Sequence, residues 1–287
     1  MNYRHAFHAG NFADVFKHAL LARILVYMTR KPAPLRFIDT HAGAGRYDLT
    51  GAAAQRSGEW RDGVARLLGA DPPAPVAALL APYLAALGPL DAQGRPASYP
   101  GSPAIAQSLL RGQDRLALCE LHPEERAALV QRMGRDARLT IVEIDGFVAL
   151  NAWLPPKERR GLVLIDPPYE APKELARVAE TIARALGKWP TGTYALWRPI
   201  KDRRDDARFL NAVAASGAPD ILQCELSVGH IPPTASSPNP LTRAGLVVVN
   251  PPHGLIDEAR VLLPWLAQRL AREGSGAWAC SWLTPPA

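Results

Sequence analysis

Four consecutive residues, Asp166, Pro167, Pro168 and Tyr169, combine groups suited to acting on an amine. A carboxylate and nearby prolyl carbonyls accept hydrogen bonds without donating any, which fits a grip on both hydrogens of an exocyclic NH2 group. Tyr169 adds a ring face on which a base can stack, worth about 1 to 3 kcal/mol. The apolar run Gly161 to Ile165 precedes them and paired prolines end a strand, so the tetrapeptide belongs in a turn closing a buried strand. A proline-rich turn without chemistry is the competing reading. Asn250-Pro251-Pro252-His253 also follows an apolar run, but histidine replaces the aromatic residue and the turn closes the last expected strand. It ranks second.

A second candidate lies in Asp39-Thr40-His41-Ala42-Gly43-Ala44-Gly45-Arg46-Tyr47, where Gly43 and Gly45 would let the backbone approach a nucleoside closely. No third glycine completes a dinucleotide fingerprint. Glu120 and Asp145, the latter followed by Gly146, stand where the next strands end. A carboxylate at the first position can accept from both ribose hydroxyls, and one at the second can meet an adenine edge; strand-end caps are the structural alternative. Near the N-terminus, His18 falls one helical turn after Asp14, which can fix its tautomer, while Lys17 is expected to point elsewhere, toward phosphate. Tyr3, Arg4, His5 and His8 form an arm able to cross the strand ends and hold a flipped base. The histidines lack the spacing of a zinc site, so no metal is expected.

These residues need a scaffold that brings strand ends together. Asn11 opens a helix expected from about Phe12 to Thr29, which Pro32 and Pro34 stop. Seven short β-prone runs follow: Leu35 to Thr40, Arg115 to Glu120, Leu139 to Ile144, Gly161 to Asp166, Thr193 to Trp197, Leu222 to Ser227 and Gly245 to Asn250. Helical stretches separate most of them, among them Pro123 to Gly134, Lys173 to Leu186 and Asp202 to Ala215. The alternation predicts an α/β fold with a seven-stranded, mainly parallel, doubly wound sheet, whose ligands sit beyond the carboxyl ends of the strands. Between Tyr47 and Pro100 no strand is expected, only helices over Gly58 to Leu68 and Pro75 to Leu87. Residues 48–99 thus read as a small helical insertion into a domain built from 1–47 and 100–287, and Ser102-Pro103 marks the helix start that follows it.

Composition sets the outer limits. In 287 residues, 48% are hydrophobic, enough for a large core and too many for a disordered chain. The formal net charge of +6 permits a polyanionic partner without identifying one. Three cysteines without CxxC spacing argue against a disulfide framework and for a reducing compartment. Arg4, His5 and His8 occupy the place of a signal-peptide core, and no run spans a bilayer, so a cytoplasmic protein without membrane attachment is expected.

Together, the glycine turn, Glu120, Asp145 and Asp-Pro-Pro-Tyr resemble the S-adenosylmethionine-dependent methyltransferases that act on amino groups. The stretch Tyr3 to Asn11, Asp14, Lys17-His18, the run Asp39 to Tyr47, Tyr99-Pro100-Gly101-Ser102-Pro103, Gly192 to Trp197 and Leu263 to Leu266 are similar, more narrowly, to the 23S rRNA adenine-N6 methyltransferases. The resemblance implies a Rossmann-like class I methyltransferase fold. It implies S-adenosyl-L-methionine as cofactor, contacted by His18, His41, Ser102, Glu120, Asp145, Gly146 and Asp166. It implies catalysis by Asp166 with Pro167 and Tyr169, and substrate contacts by Tyr3, joined here by His5, Lys17 and Tyr169. The expected partner is 23S rRNA, protein-free or as an early precursor, met by a monomer. Methylation of adenine in DNA, which uses the same four-residue site, and a non-catalytic RNA-binding module on this fold are the alternatives.

Overall fold

The computed structural model describes residues 4–233 and 239–286. The chain enters through a short 3-10 turn and then α1 (Phe12–Met28), whose start is capped by the Asn11 side chain accepting from Ala13 and Asp14 N–H at 3.0 Å. Apolar spacing suggests a one-faced helix, yet α1 is buried almost all round, Asp14, Lys17, His18 and Arg23 included. Such a helix forms part of the core, and each of its charges needs an internal partner. Arg23 finds one in Glu258, two bonds of 2.8 Å.

After α1 come β1 (Arg36–Asp39) and β2 (Arg46–Asp48), followed by α2 (Ala52–Ser57), α3 (Val64–Leu68) and α4 (Ala74–Leu87). Over Gly58 to Leu68, where one helix is expected, a 3-10 turn at Glu59–Arg61 and α3 stand instead, separated at Gly63, and Gly58 parts them from α2. Then β3 (Ser98–Pro100) pairs antiparallel with β2, a small ribbon at the borders of the segment expected to lack strands. The regular alternation follows: α5 (Ser102–Leu109), β4 (Arg115–Cys119), α6 (Pro123–Met133), β5 (Leu139–Val142), α7 (Gly146–Trp153), β6 (Gly161–Ile165), α8 (Glu174–Lys188), β7 (Thr193–Pro199), α9 (Arg203–Ala214), β8 (Ile221–Ser227), β9 (Arg243–Val249), α10 (Leu255–Leu270) and β10 (Ala277–Thr284).

The main sheet runs β10-β8-β9-β7-β6-β1-β4-β5. All seven expected strands are present, and β10 is an eighth. It lies antiparallel on β8 at the sheet edge with its side chains mostly exposed, so backbone pairing recruits it where no buried apolar run announces it. From β5 to β7 the pairing is parallel; β9 is inserted antiparallel between β7 and β8. Residues of the central strands are buried on both faces, Leu162 and Leu164 in one core layer with α1 and α10, Val163 and Ile165 in the other with α8. Strand order reverses between β1 and β6, which opens a crevice at their carboxyl ends.

One charge in the sheet itself tests this packing. Arg198 on β7 is fully buried, with Nε 2.5 Å from Asp206 and an outer guanidinium nitrogen 2.9 Å from Glu225. Arg198→Ala leaves buried Asp206 without a cation and Glu225 with only Arg243 at 3.9 Å, and a broken buried pair costs about 3 to 5 kcal/mol. A urea midpoint unchanged from the wild type would contradict that role.

Candidate active site

A cleft of about 690 Å³ opens at the carboxyl ends of β1, β4, β6 and β7. Of the expected site residues, His5, Lys17, His18, His41, Ser102 and Glu120 line it. So do Asp145, Gly146, Asp166, Pro167 and Tyr169. Tyr3 lies outside the described residues. The rival turn at Asn250 is remote: β9 runs antiparallel, so Val249 pairs with Tyr194 near the start of β7, at the other end of the sheet. There the Asn250 amide donates to Pro190 and Gly192 carbonyls.

Lys17 corrects its expected direction. Its ammonium turns into the cleft floor and sits 2.6 Å from Asp166 Oδ2 and 3.0 Å from Asp14 Oδ1. Burial alone would favour the neutral amine, but the two carboxylates outweigh it and raise the Lys17 pKa. Asp14 also accepts from Gly10 N–H at 3.0 Å and meets His5 Nε2 at 2.9 Å. Despite complete burial, its carboxyl is held well below the ordinary range by His5 and Lys17. The His18 ring is oriented by Tyr99, whose hydroxyl lies 2.8 Å from Nδ1, rather than by Asp14, whose carboxylate is 4.0 Å from Nε2. Burial, with Lys17 next to it, pushes His18 far down and keeps it neutral.

Tyr169 adopts the left-handed backbone region with φ 54° and donates its hydroxyl to the Trp197 carbonyl. The two rings tilt together with centroids 5.5 Å apart, and Lys17 Nζ lies 5.9 Å from the Trp197 ring. Trp197 and Asp14 were not anticipated as parts of the site. Position at the end of the strand beside β6 would have pointed to Trp197, and a buried Lys17 in need of a counter-ion to Asp14.

Toward β4 and β5 the acids are partly engaged. Glu120 accepts from Gly43 and His122 N–H, each at 2.7 Å, and burial raises its pKa. Asp145 caps α7 through Phe147 N–H at 2.9 Å and pairs with Arg177 at 2.9 Å, so it carries the structural capping duty that was the alternative to a ligand role. Ser102 donates to buried Asp39 at 2.6 Å, and His41 N–H reaches the other Asp39 oxygen at 3.1 Å. Burial moves His41 down to about 4, leaving a neutral ring whose Nδ1 lies 2.8 Å from the Thr40 hydroxyl.

Two features show what such a cleft can hold. His18 Nε2, Trp197 Nε1 and His122 Nδ1 belong to lining residues and are buried with no hydrogen-bond partner among the described residues, so both donors and acceptors remain for a nucleoside. Among the described lining residues, Asp14, Glu59, Asp62, Glu120, Glu125, Asp145, Asp166, Glu170 and Glu174 face only Lys17, Arg177, Lys201 and Arg272. An acid-rich cleft in a chain of net charge +6 suits a cationic ligand such as a sulfonium. Among the described residues no cluster could hold a metal ion, and no helix is long and apolar enough to cross a membrane.

Residues 32–284 match the family model described as "Ribosomal RNA large subunit methyltransferase D, RlmJ". The chain belongs to the RlmJ family. Relatives named ribosomal RNA large subunit methyltransferase J from Escherichia coli and Haemophilus influenzae are 41% and 39% identical over 99% of each chain. A crystal structure of a Legionella pneumophila protein superposes with a TM-score of 0.85 at 33% identity, covering 96% of this chain and 98% of its own. A methyltransferase family fits the Rossmann-like sheet and a cleft at its switch point.

Two expectations follow for this RlmJ-family cleft. A Cβ on Gly146 would lie 2.1 Å from the Thr40 carbonyl oxygen, a backbone atom that cannot swing aside. Gly146→Ala must therefore push α7 from β1 and weaken cofactor binding at least tenfold by calorimetric titration, while Val148→Ala, at an exposed position of α7, leaves it unchanged. The second concerns Asp39, which burial raises from 3.8 to about 7. The folded chain then keeps a proton that the unfolded chain releases, so this stability is full below about 4 and is lost as pH rises through 7. Asp39→Asn should gain on the wild type between pH 5 and pH 8 in urea midpoint; an equal difference at both pH values would refute the assignment.

Proposed function

We propose that this chain is an S-adenosylmethionine-dependent methyltransferase that modifies the exocyclic N6 amine of an adenine in 23S ribosomal RNA. The observation that carries the reading is the Asp166-Pro167-Pro168-Tyr169 turn, whose carboxylate is anchored by a buried lysine beside an aromatic wall. The methyltransferase family of the chain and the acid-rich cleft support the cofactor assignment. The names carried by the relatives support ribosomal RNA as substrate.

In this reading His18, His41, Ser102, Glu120, Asp145, Gly146 and Asp166 hold the cofactor, with Glu120 on the ribose and Asp145 toward the adenine. S-adenosylmethionine supplies a methyl group already activated by a positive sulfur. The adenine amine is a poor nucleophile because its lone pair is delocalised into the ring, so the protein's main task is alignment. Holding the reacting groups in line is worth about 7 to 11 kcal/mol, and one fixed acceptor about 2 to 4. Lys17 occupies Asp166 Oδ2, which leaves Oδ1 and the Pro167 carbonyl to draw on the two amine hydrogens. Tyr169 stacks on the base, offsetting the few kcal/mol needed to extrude it. Substrate contacts by Tyr3 and His5 complete the grip on the base. Residues 48–99 form an insertion in a domain of 1–47 and 100–287, and the protein acts in the cytoplasm, as a monomer, on protein-free rRNA or an early precursor.

Transfer of labelled methyl to protein-free 23S rRNA, with duplex DNA in parallel, tests this. Label is expected in RNA at an adenine N6. Label in DNA alone would assign the DNA alternative, and none in either, with cofactor still bound, the non-catalytic one. Asp166→Ala should lower kcat by about 10² to 10³ and keep the fold, and Asp166→Asn, which retains an acceptor oxygen, should lose less. Near-full transfer by Asp166→Ala would move the chemistry elsewhere.

A further inference from the structure

We propose that Lys201, Arg203 and Arg204 form a phosphate-binding rim that grips the RNA backbone flanking the base in the cleft, an inference that rests on the function proposed above. Four lysines and arginines line the cleft, and three of them are engaged: Lys17 by Asp14 and Asp166, Arg177 by Asp145, Arg272 by Asp62. Lys201 alone has no acidic partner among the described residues. It lies two residues after β7, the strand that carries Trp197, and both residues line the cleft.

The segment after Lys201 reads Asp202-Arg203-Arg204-Asp205-Asp206 in sequence, and the structure engages each of its acids away from an ion pair with Lys201, Arg203 or Arg204. Asp202 caps α9, accepting from Arg204 and Asp205 N–H at 2.7 and 3.0 Å. Asp205 pairs with Arg208 at 2.8 Å, and buried Asp206 is taken up by Arg198. Lys201, Arg203 and Arg204 are all exposed, and none has an ion pair among the described residues. Lys201 lines the acid-rich cleft and exposed Arg203 and Arg204 follow it closely in the chain, a run of cations without ion pairs that matches a ligand whose base enters while its phosphates stay outside. Phosphates cannot follow the base inward, because the cleft acids repel them.

The test compares two triple variants of the full chain. One carries Lys201→Gln, Arg203→Gln and Arg204→Gln; the other carries Lys31→Gln, Lys157→Gln and Arg159→Gln, which removes the same charge from exposed positions that precede β1 and β6 at the far end of the sheet. Asp202 and the Asp205–Arg208 pair are untouched in both, so α9 keeps its cap. Filter binding of protein-free 23S rRNA transcript across a potassium chloride series gives affinity and salt slope. The rim variant should bind roughly tenfold or more weakly and lose about 2 to 3 from the slope, with KM for RNA rising in parallel. Cofactor affinity by calorimetry should match the wild type. Wild-type RNA affinity in the rim variant, or a loss no larger than in the far-end variant, would overturn the proposal. A wild-type protein that methylates no rRNA would instead fail the function on which it rests, a separate outcome read in the same experiment.

Discussion

A single ammonium held between two carboxylates ties the cleft together. Lys17 comes from the first helix, and Asp166 from the end of β6, 149 residues later. Without the cation, the fully buried Asp14 carboxylate would lose one of the positive charges that keep it ionised. With it, Asp14 stays charged and Asp166 is fixed in one orientation, which matters because fixed acceptors act without reorganising during reaction. The cost appears elsewhere: α1 must be sunk into the core at the right depth. Its near-complete burial and the Arg23–Glu258 pair to α10 are the consequences.

Topology then decides which turn can do chemistry. Two Pro-Pro turns follow buried strands, and their local sequences differ by little. Because β6 is parallel to β1 and β4 while β9 is antiparallel to β7, one turn opens into the cleft and the other closes the far end. The Asn250 side chain is spent on tying the β9 exit to the loop before β7, a structural duty. Strand direction, not motif quality, separates them.

What the sequence makes readable is local. Each central strand is an apolar run that ends in a residue with chemistry, so Glu120, Asp145 and Asp166 could be placed at strand ends before their neighbours were known. Pairings across the fold are not local. Lys17 carries no mark of facing Asp166, and in an isolated helix Asp14 at its first turn is adequately explained by the helix dipole. Asp39 reads as part of a glycine turn; only the closing of Ser102 and α5 over it makes its protonation matter. β10 escaped because an edge strand needs a partner's backbone more than an apolar face of its own. The helices at Gly58 to Leu68 were misjudged for a similar reason: the N-terminal arm packs there, with Val64 N–H donating to the Gly10 carbonyl, and tertiary contacts set where the helix breaks.

Charge is sorted by depth rather than averaged over the surface. Net charge alone describes a basic protein, and a basic protein that bound RNA uniformly would draw phosphates into any opening. Here the opening is acidic, its two central histidines are kept neutral by burial, and three of the four cations that line it are paired with acids. The fourth, Lys201, begins the exposed basic run on the loop into α9. Such a distribution suits a cation and a neutral base in the interior and a polyanion at the entrance, as the proposed function requires. The same arrangement limits phosphate-bearing nucleotides as competitors for the inner cleft, because their charge is repelled at the depth where a sulfonium is attracted.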